Sequence, residues 1–336
     1  MRRGAAPAVP RRHGPVASRL GTTLRTEAHA LPTIRANGID IAYDVHGAGP
    51  PLVLLHGASS VGSRDFAAQI PLFSRGFQLF VPDARGHGRT RWDASDGFRY
   101  DWLVDDLAAF VDGLGLGTFH VLGFSMGAMT ALMYATRHPE RLRTFVIVGI
   151  TTQREPRLSV LRGLTNLERI DREDQAWARE LAARHDAGQG EGAWRRLLPA
   201  IADDVAAQPL LAPRDLHRID APALVTVGDR DPFVPVDHAW GISRQLGDGR
   251  LFVVPGCGHE VTSRRPGLFN EGLGAFYRST EAIARQRAEV SAASAVAAPP
   301  ARRLIDNPLE TDPDDAEPDP DWLGNPHPRP PNGGSR

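Results

Sequence analysis

A serine flanked by two glycines, in the segment Gly123-Phe-Ser125-Met-Gly127, is the strongest chemical signal in the sequence. It follows the apolar run 119–122 and precedes a helix-compatible run at 128–137. Glycines on either side of a sharp strand-to-helix turn relieve crowding, so the serine hydroxyl can project from the sheet. The pattern therefore predicts that Ser125 is a nucleophile.

A serine hydroxyl is a poor nucleophile until a base takes its proton. The chain has 12 histidines, and His259 is the best placed because it follows the apolar run 251–254. If that run is a strand, His259 lies at the carboxyl edge of a sheet, where loops from several strands converge. His259 is therefore the predicted general base.

The base needs an acid that holds its tautomer, and two aspartates compete for this role. Asp229 and Asp231 both follow the apolar run 224–227, and residues two apart on an extended chain point to the same side. Asp229 is close enough to the strand end to bond turn amides, whereas Asp231 lies farther out, directly before Pro232. Position along the turn favours Asp231. The chain order Ser, Asp, His is the one expected on this kind of sheet.

A carbonyl under nucleophilic attack becomes an oxyanion, which two preorganised N–H donors must face. The backbone amides of Ala58 and Met126 are the candidates, one after each of two neighbouring predicted strands. Ala58 belongs to the turn His56-Gly57-Ala58, which ends the apolar run 52–55. Taken alone, this turn is more typical of a plain strand terminus.

The elements that must position these residues are short apolar runs, four or five residues long, rich in Val, Leu and Phe. They occupy residues 52–55, 77–81, 119–122, 145–148, 224–227 and 251–254. Such runs, bounded by Gly, Pro or Asp, are typical of buried strands in a parallel sheet. Residues 39–43 alternate like an exposed antiparallel strand after the turn signal Asn37-Gly38, and residues 103–114 have helical apolar spacing. The alternation predicts an α/β fold with helices on both faces of the sheet.

One segment between residues 148 and 224 has no convincing strand pattern. Helix-like apolar spacing recurs there, and a structureless loop of that length would be unusual in a compact domain. We therefore predict a helical insertion at residues 154–216, over the carboxyl edge of the sheet. Residues 154–196 of this insertion include nine arginines and eight acidic residues, and this balance of charges is typical of an ordinary solvated helical surface. Trp177 is expected to lie in the core.

Together these segments resemble the α/β-hydrolase superfamily over roughly residues 31–279. The matching motifs are Leu54-Leu-His-Gly57, Pro82-Asp-Ala-Arg-Gly-His-Gly-Arg89, the serine segment, Gly228-Asp-Arg-Asp-Pro232 and Gly258-His259. The resemblance implies the α/β-hydrolase fold, a mostly parallel twisted sheet, with Ser125 as nucleophile, Asp231 as acid and His259 as base. It also implies that the helical insertion is a cap whose inner wall shapes the substrate pocket. Haloalkane dehalogenases and epoxide hydrolases of this superfamily use an aspartate nucleophile, so those activities are not expected.

Composition excludes several other functions. Basic and acidic residues nearly cancel, at 39 against 40, so no overall field would attract nucleic acid or a membrane surface. Every basic residue is an arginine, which excludes lysine Schiff bases and a P-loop lysine. The single cysteine, Cys257, excludes an internal disulfide and a cysteine-based zinc site, and is expected to be a small buried filler. The sequence implies neither a cofactor nor a metal.

The ends of the chain differ from its middle. Residues 1–31, rich in Arg, Ala and Pro, and residues 290–336, a Pro-rich acidic tail, are expected to be disordered. The hydrolase core is predicted at 32–153 and 217–289, on either side of the insertion. No continuous apolar core marks a secretory signal in the first 32 residues, so a cytoplasmic protein is expected.

The leading functional hypothesis is a cofactor-free serine hydrolase that cleaves an ester-like bond of a small molecule through an acyl-enzyme. Enol-lactone or carbon–carbon bond hydrolysis in aromatic breakdown remains open, as does a cofactor-free haloperoxidase-like esterase. A non-catalytic ligand-binding relative is the alternative from a different class, and nothing in the sequence favours it. No motif specifies the substrate or the oligomeric state.

Overall fold

A computed structural model describes residues 32–207 and 210–297, and its central layer is an eight-stranded sheet. The strands are β1 Thr33–Ala36, β2 Ile39–His46, β3 Pro51–Leu55, β4 Gln78–Pro82, β5 Phe119–Phe124, β6 Leu142–Val148, β7 Ala223–Gly228 and β8 Gly249–Val254. They lie in the order β1-β2-β4-β3-β5-β6-β7-β8. Strand β2 pairs antiparallel with β1 and β4, and the other neighbours pair in parallel. The predicted mostly parallel sheet is therefore confirmed.

Helices cover both faces of this sheet. Their bounds are α1 Gly62–Asp65, α2 Ile70–Phe73, α3 Tyr100–Gly113, α4 Met126–Arg137, α5 Arg157–Thr165, α6 Leu167–Glu173, α7 Gln175–Gln189, α8 Trp194–Ala207, α9 Pro213–Leu216, α10 Val236–Gln245, α11 Val261–Arg264 and α12 Pro266–Ala297. Two 3₁₀ turns lie at Ala94–Asp96 and Pro139–Arg141. Helices α3, α4 and α10 pack on one face, and α2, α11 and α12 on the other.

Alternation along each strand builds these two apolar layers. Val53 and Leu55 of β3 join the layer with α3, α4 and α10, whereas Leu52 and Leu54 join the opposite layer. Successive side chains of a strand point to opposite faces, so a strand that is buried on both sides must be apolar throughout. This is why the central strands could be recognised as unbroken apolar runs.

Strand β1 was not predicted, because its four residues contain no apolar run. It pairs with β2 through the predicted turn, in which Asn37 has φ 45° and Gly38 has φ 79°. Two consecutive residues at positive φ match the right-handed twist of a two-residue hairpin. The turn signal was therefore the available clue to the extra strand.

Helices α5 to α9 fill the chain between β6 and β7, where the helical insertion was predicted. Ile170, Leu181, Trp194 and Leu198 form a small apolar cluster of their own. Other residues of α8, Leu197 among them, join the main core beside the sheet. The insertion is thus tied to the sheet by apolar contacts as well as by its two chain connections.

The last helix continues beyond the predicted start of the tail at residue 290 and ends at Ala297. That boundary was placed too early because the Pro-rich composition begins later, while residues 291–298 are rich in alanine, the best helix former.

The compact unit of the fold extends to Ala284, and a second unit begins at Arg285. The expectations for 1–31 and for the tail after residue 297 lie outside the described residues. Within the described ranges, no helix has the length and apolar content that a bilayer crossing requires.

Candidate active site

Ser125 occupies a strained turn between β5 and α4, with φ 52° and ψ −110°. A left-handed conformation of a residue other than glycine costs on the order of 1–3 kcal/mol and persists only where its surroundings hold it. Here the Ser125 N–H donates to the Val148 carbonyl at 2.8 Å, and the Gly127 N–H donates to the His56 carbonyl at 3.0 Å. The turn is therefore anchored to the two strands on either side of β5.

The glycines on either side of Ser125 are required by close backbone contacts. A Cβ on Gly123 would lie 2.3 Å from the Gly127 carbonyl oxygen, and one on Gly127 would lie 2.1 Å from the Leu55 carbonyl oxygen. These contacts are with backbone atoms, which cannot rotate away. The steric reason for the glycine-serine-glycine pattern is thus present in the structure.

Ser125, His259 and Asp231 form one chain of hydrogen bonds. His259 Nε2 lies 2.9 Å from Ser125 Oγ, and His259 Nδ1 lies 2.8 Å from Asp231 Oδ2. A carboxylate accepts only, so Nδ1 donates to Asp231 and Nε2 is left as the acceptor that faces the hydroxyl. The side chain of Asp231 is completely buried, and its Oδ1 accepts the N–H groups of Phe233 at 2.8 Å and Val234 at 3.2 Å.

Asp229, the competing aspartate, lies outside this chain. Its Oδ1 accepts the Cys257 N–H at 3.2 Å, and its Oδ2 lies 3.9 Å from Arg230 Nε. Asp229 thus bonds a turn amide. Burial raises the pKa of the neighbouring Cys257 thiol, which favours the protonated thiol, and Cys257 is buried, as expected of a small filler.

Three residues that the sequence analysis did not single out confine the His259 ring. The rings of Phe233 and Phe124 lie with their centroids 4.3 and 5.1 Å from that of His259. Gly149 has φ +67°, and a Cβ there would lie 2.9 Å from His259 Cε1. In the sequence, Gly149 stands out only by its place directly after the predicted strand 145–148.

Ala58 and Met126 line one small cavity together with Ser125. Met126 is the first residue of α4, so its N–H has no acceptor within the helix. The Ala58 N–H makes no hydrogen bond to another part of the described chain. Both amides are thus available to a ligand oxygen.

His56 fixes the orientation of the Ala58 amide. The Ala84 N–H donates to His56 Nε2 at 2.9 Å, so Nδ1 carries the proton and donates to the Gly57 carbonyl at 2.7 Å. In a trans peptide the N–H points opposite to the preceding C=O. Holding the Gly57 carbonyl therefore holds the Ala58 N–H as well.

Ser125 and His259 open onto two cavities of different character. An inner cavity of about 40 Å³ is lined mainly by apolar residues, some of them from α5 and α8, and Arg157 and Tyr100 also line it. An outer cavity of about 490 Å³ has many charged walls, among them Arg64, Glu180 and Arg184. Ser125 and His259 thus border both a small, largely apolar cavity and a larger cavity with charged walls.

The expectation that the arginines of the insertion form a solvated surface is wrong for two of them. Arg157 is 9% exposed, and the side chain of Arg184 is 8% exposed. Burial lowers the pKa of both guanidinium groups, which nevertheless stay charged in proteins. Trp177, expected in the core, packs there only in part and also lines the outer cavity. Charge counts could not reveal these positions because they depend on how the insertion docks.

No cluster of three or more His, Cys, Asp or Glu side chains suited to a metal ion occurs in residues 32–207 and 210–297. Ser125 is bonded to the imidazole of His259, which is bonded in turn to the carboxylate of Asp231. The polar groups around Ser125 thus form a hydrogen-bond network of the chain's own side chains.

A family model described as the alpha/beta hydrolase fold matches residues 50–194. A 2-hydroxy-6-oxononadienedioate/2-hydroxy-6-oxononatrienedioate hydrolase of Burkholderia vietnamiensis is 28% identical over 71% of this chain and 91% of its own length. A 2-hydroxy-6-oxo-6-phenylhexa-2,4-dienoate hydrolase of Burkholderia cepacia is 26% identical over 67% of this chain and 86% of its own. The solved structure of Est816, an N-acyl homoserine lactone degrading enzyme, is 26% identical with a TM-score of 0.59, over 73% of this chain and 100% of its own.

Proposed function

The chain belongs to the α/β-hydrolase superfamily, and from that premise we propose that it is a cofactor-free serine hydrolase that works through an acyl-enzyme. The observation that carries the proposal is the pair of hydrogen bonds, 2.9 and 2.8 Å long, that link Ser125 through His259 to Asp231. Each group in this arrangement has the partner that its chemistry requires.

In the proposed first step, Ser125 Oγ attacks the substrate carbonyl while His259 Nε2 takes the hydroxyl proton. Asp231 stabilises the imidazolium that forms, and the Ala58 and Met126 amides donate to the developing oxyanion. The tetrahedral intermediate then collapses, and the proton on His259 passes to the leaving group. In the second step, water attacks the acyl-enzyme with the same base, which releases the acid and restores Ser125.

We propose a small substrate that carries both an apolar and a polar part, in keeping with the two cavities that meet at Ser125. Ester-like bonds are the leading substrate class. A second candidate, cleavage of a carbon–carbon bond next to a ketone, is favoured by the names of the two Burkholderia relatives, which are hydrolases of 2-hydroxy-6-oxo dienoates. Lactone opening is favoured by the likeness to the lactone-degrading Est816.

The test is a panel of short p-nitrophenyl esters, a homoserine lactone and a 2-hydroxy-6-oxo dienoate, assayed with the wild-type protein and with Ser125→Ala. We expect turnover of at least one class, with a loss of about 10³-fold or more in the variant, because the nucleophile is removed. Ser125→Ala should keep the melting temperature, since it removes one hydroxyl at a cavity surface. Comparable turnover by the two proteins would contradict the proposal, and so would no turnover of any class.

A further inference from the structure

Ser59, which follows the proposed oxyanion residue Ala58, has a backbone conformation that L residues rarely adopt. Its φ is 60°, and the residue is 8% exposed. Such a conformation persists only where the surroundings hold it. Both polar groups of the Ser59 backbone are held: its N–H donates to His87 Nε2 at 3.1 Å, and its carbonyl accepts from Arg184 Nη1 at 2.9 Å.

Arg184 reaches Ser59 from helix α7 of the insertion, and its own position is fixed. The guanidinium lies 4.8 Å from the centre of the Trp177 ring and pairs with Glu180 one turn earlier on the same helix. An arginine that is stacked and paired in this way loses little further freedom when it donates a hydrogen bond. The contact with Ser59 is therefore well defined.

His185, the next residue of α7, packs against His87, the residue that bonds the Ser59 N–H. Its Nδ1 accepts the Gly88 N–H at 3.1 Å, and its ring centroid lies 5.5 Å from that of His87. His87 in turn accepts the Ser59 N–H, which leaves its Nδ1 as the donor to the Arg85 carbonyl at 3.0 Å. Burial lowers the pKa of His87, and it lowers that of His185 to about 4. Both rings are therefore neutral and able to accept at neutral pH.

From these contacts we propose that Arg184 and His185 are positioning residues, through which helix α7 holds Ser59, and with it the adjoining Ala58, so that the Ala58 amide meets the oxyanion. The inference rests on the proposed function, because it concerns the transition state formed on Ser125. It assigns the helical insertion a part in the rate of the chemical step, in addition to its part in forming the cavity wall.

A competing role for Arg184 is direct binding of an anionic substrate, since its side chain also lines the outer cavity. The two roles give different kinetics. A positioning residue acts on the transition state of every substrate and so changes kcat, whereas a binding residue acts on anionic substrates and changes KM. Comparing a neutral ester with an anionic ester therefore separates them.

The experiment uses Arg184→Met and His185→Leu, each with a matched control. Arg179→Met removes an exposed arginine from the same helix, and His185→Asn keeps an acceptor close to the place of Nδ1. For both p-nitrophenyl butyrate and the mono-p-nitrophenyl ester of glutaric acid, we expect Arg184→Met and His185→Leu to lower kcat by about 10- to 100-fold. KM should change by less than about threefold. Arg179→Met should match the wild type, and His185→Asn should recover most of the loss.

A second measurement reports on the oxyanion directly. A trifluoromethyl ketone adds to a serine to give a hemiketal oxyanion, so its inhibition constant should rise in parallel with the fall in kcat/KM. The corresponding secondary alcohol, which cannot form the adduct, should inhibit all the variants equally. A uniform loss of affinity for both inhibitors would indicate a merely loosened pocket and would overturn the proposal.

Unchanged kcat in folded Arg184→Met and His185→Leu would also overturn it, and so would a loss confined to KM for the anionic ester. If Arg184→Met does not fold, the two His185 variants and Arg184→Lys, which keeps a donor, carry the test. Ser125→Ala in the same assay keeps the two proposals apart. Activity without Ser125 contradicts the proposed function, whereas activity that needs Ser125 but not Arg184 or His185 contradicts only the present inference.

Discussion

Asp229 and Asp231 are two residues apart, yet they belong to different hydrogen-bond networks. Asp231 faces His259 Nδ1 and accepts two further amides, whereas Asp229 accepts the Cys257 amide. Removing the charge of Asp231 would leave His259 without the partner that fixes its tautomer. Removing the charge of Asp229 would weaken one turn contact that is partly exposed to water.

We therefore expect Asp231→Asn to lower kcat by about 10³- to 10⁴-fold, because the imidazolium loses its stabilising carboxylate. Asp229→Asn should lower it by less than about tenfold, since a single hydrogen bond to a turn is worth only about 1 kcal/mol. The measurement is ester turnover by both variants, with circular dichroism as the check on folding. A greater loss in Asp229→Asn would transfer the role of the acid to that residue.

At the scale of single residues, the sequence could predict groups that follow a strand directly. Ser125, Asp231 and His259 each come soon after an apolar run, so the sheet brings them to one edge, although their catalytic roles stay proposals. Arg184 could not be found in this way, because its contact with Ser59 spans 125 positions of the chain. No local pattern indicates which of the insertion's arginines turns inward.

Secondary structure elements could be predicted where one clear pattern of apolar residues ran through the whole segment. The central strands are buried on both faces and are therefore apolar throughout, and α3 has one apolar stripe. The short edge strand β1 has neither feature. The docking of the insertion was not predictable either, because it depends on shape at contacts between distant segments.

The end of helix α7 makes a close contact with a distant segment of the chain. Gly188 lies against the turn that contains Gly88, and a Cβ on Gly188 would lie 2.2 Å from the Gly88 carbonyl oxygen. Gln189 adds a hydrogen bond from its side chain to the Thr90 carbonyl at 2.5 Å. The end of α7 is thus seated directly on the turn that carries His87.

Gly188→Ala should therefore push α7 away from this turn and destabilise the protein by about 1–3 kcal/mol, the usual cost of overpacking. It should also lower kcat, because the contacts from Arg184 and His185 would lengthen. Gly163→Ala in α5 is the matched control, since a Cβ there meets nothing within 4 Å. It should be neutral or stabilise by up to about 1 kcal/mol, because alanine is the better helix former.

Urea unfolding and ester turnover measure the two effects on both variants. Equal stability and equal kcat for Gly188→Ala and the wild type would mean that α7 can shift without consequence. That result would also weaken the case for α7 as the support of Ser59.

At the scale of the whole molecule, three buried histidines make the stability of the fold depend on pH. His87, His120 and His185 are each no more than 1% exposed. Burial lowers the pKa of all three, to about 4 for His120 and His185. In the unfolded chain a histidine has a pKa near 6.5, so between about pH 6.5 and 4 the unfolded state binds more protons than the folded state.

The free energy of unfolding should therefore fall as the pH drops from about 6.5 to 4, by up to roughly 1.4 kcal/mol per pH unit for each such histidine. His185→Asn removes one of these groups and should have a shallower pH dependence than the wild type. His217→Asn, which replaces an exposed histidine, is the control and should keep the wild-type dependence. Urea unfolding at pH 7, 6, 5 and 4.5 gives the comparison. Parallel curves for the wild type and His185→Asn would show that His185 binds its proton equally well in both states, which a neutral ring buried against His87 would not do.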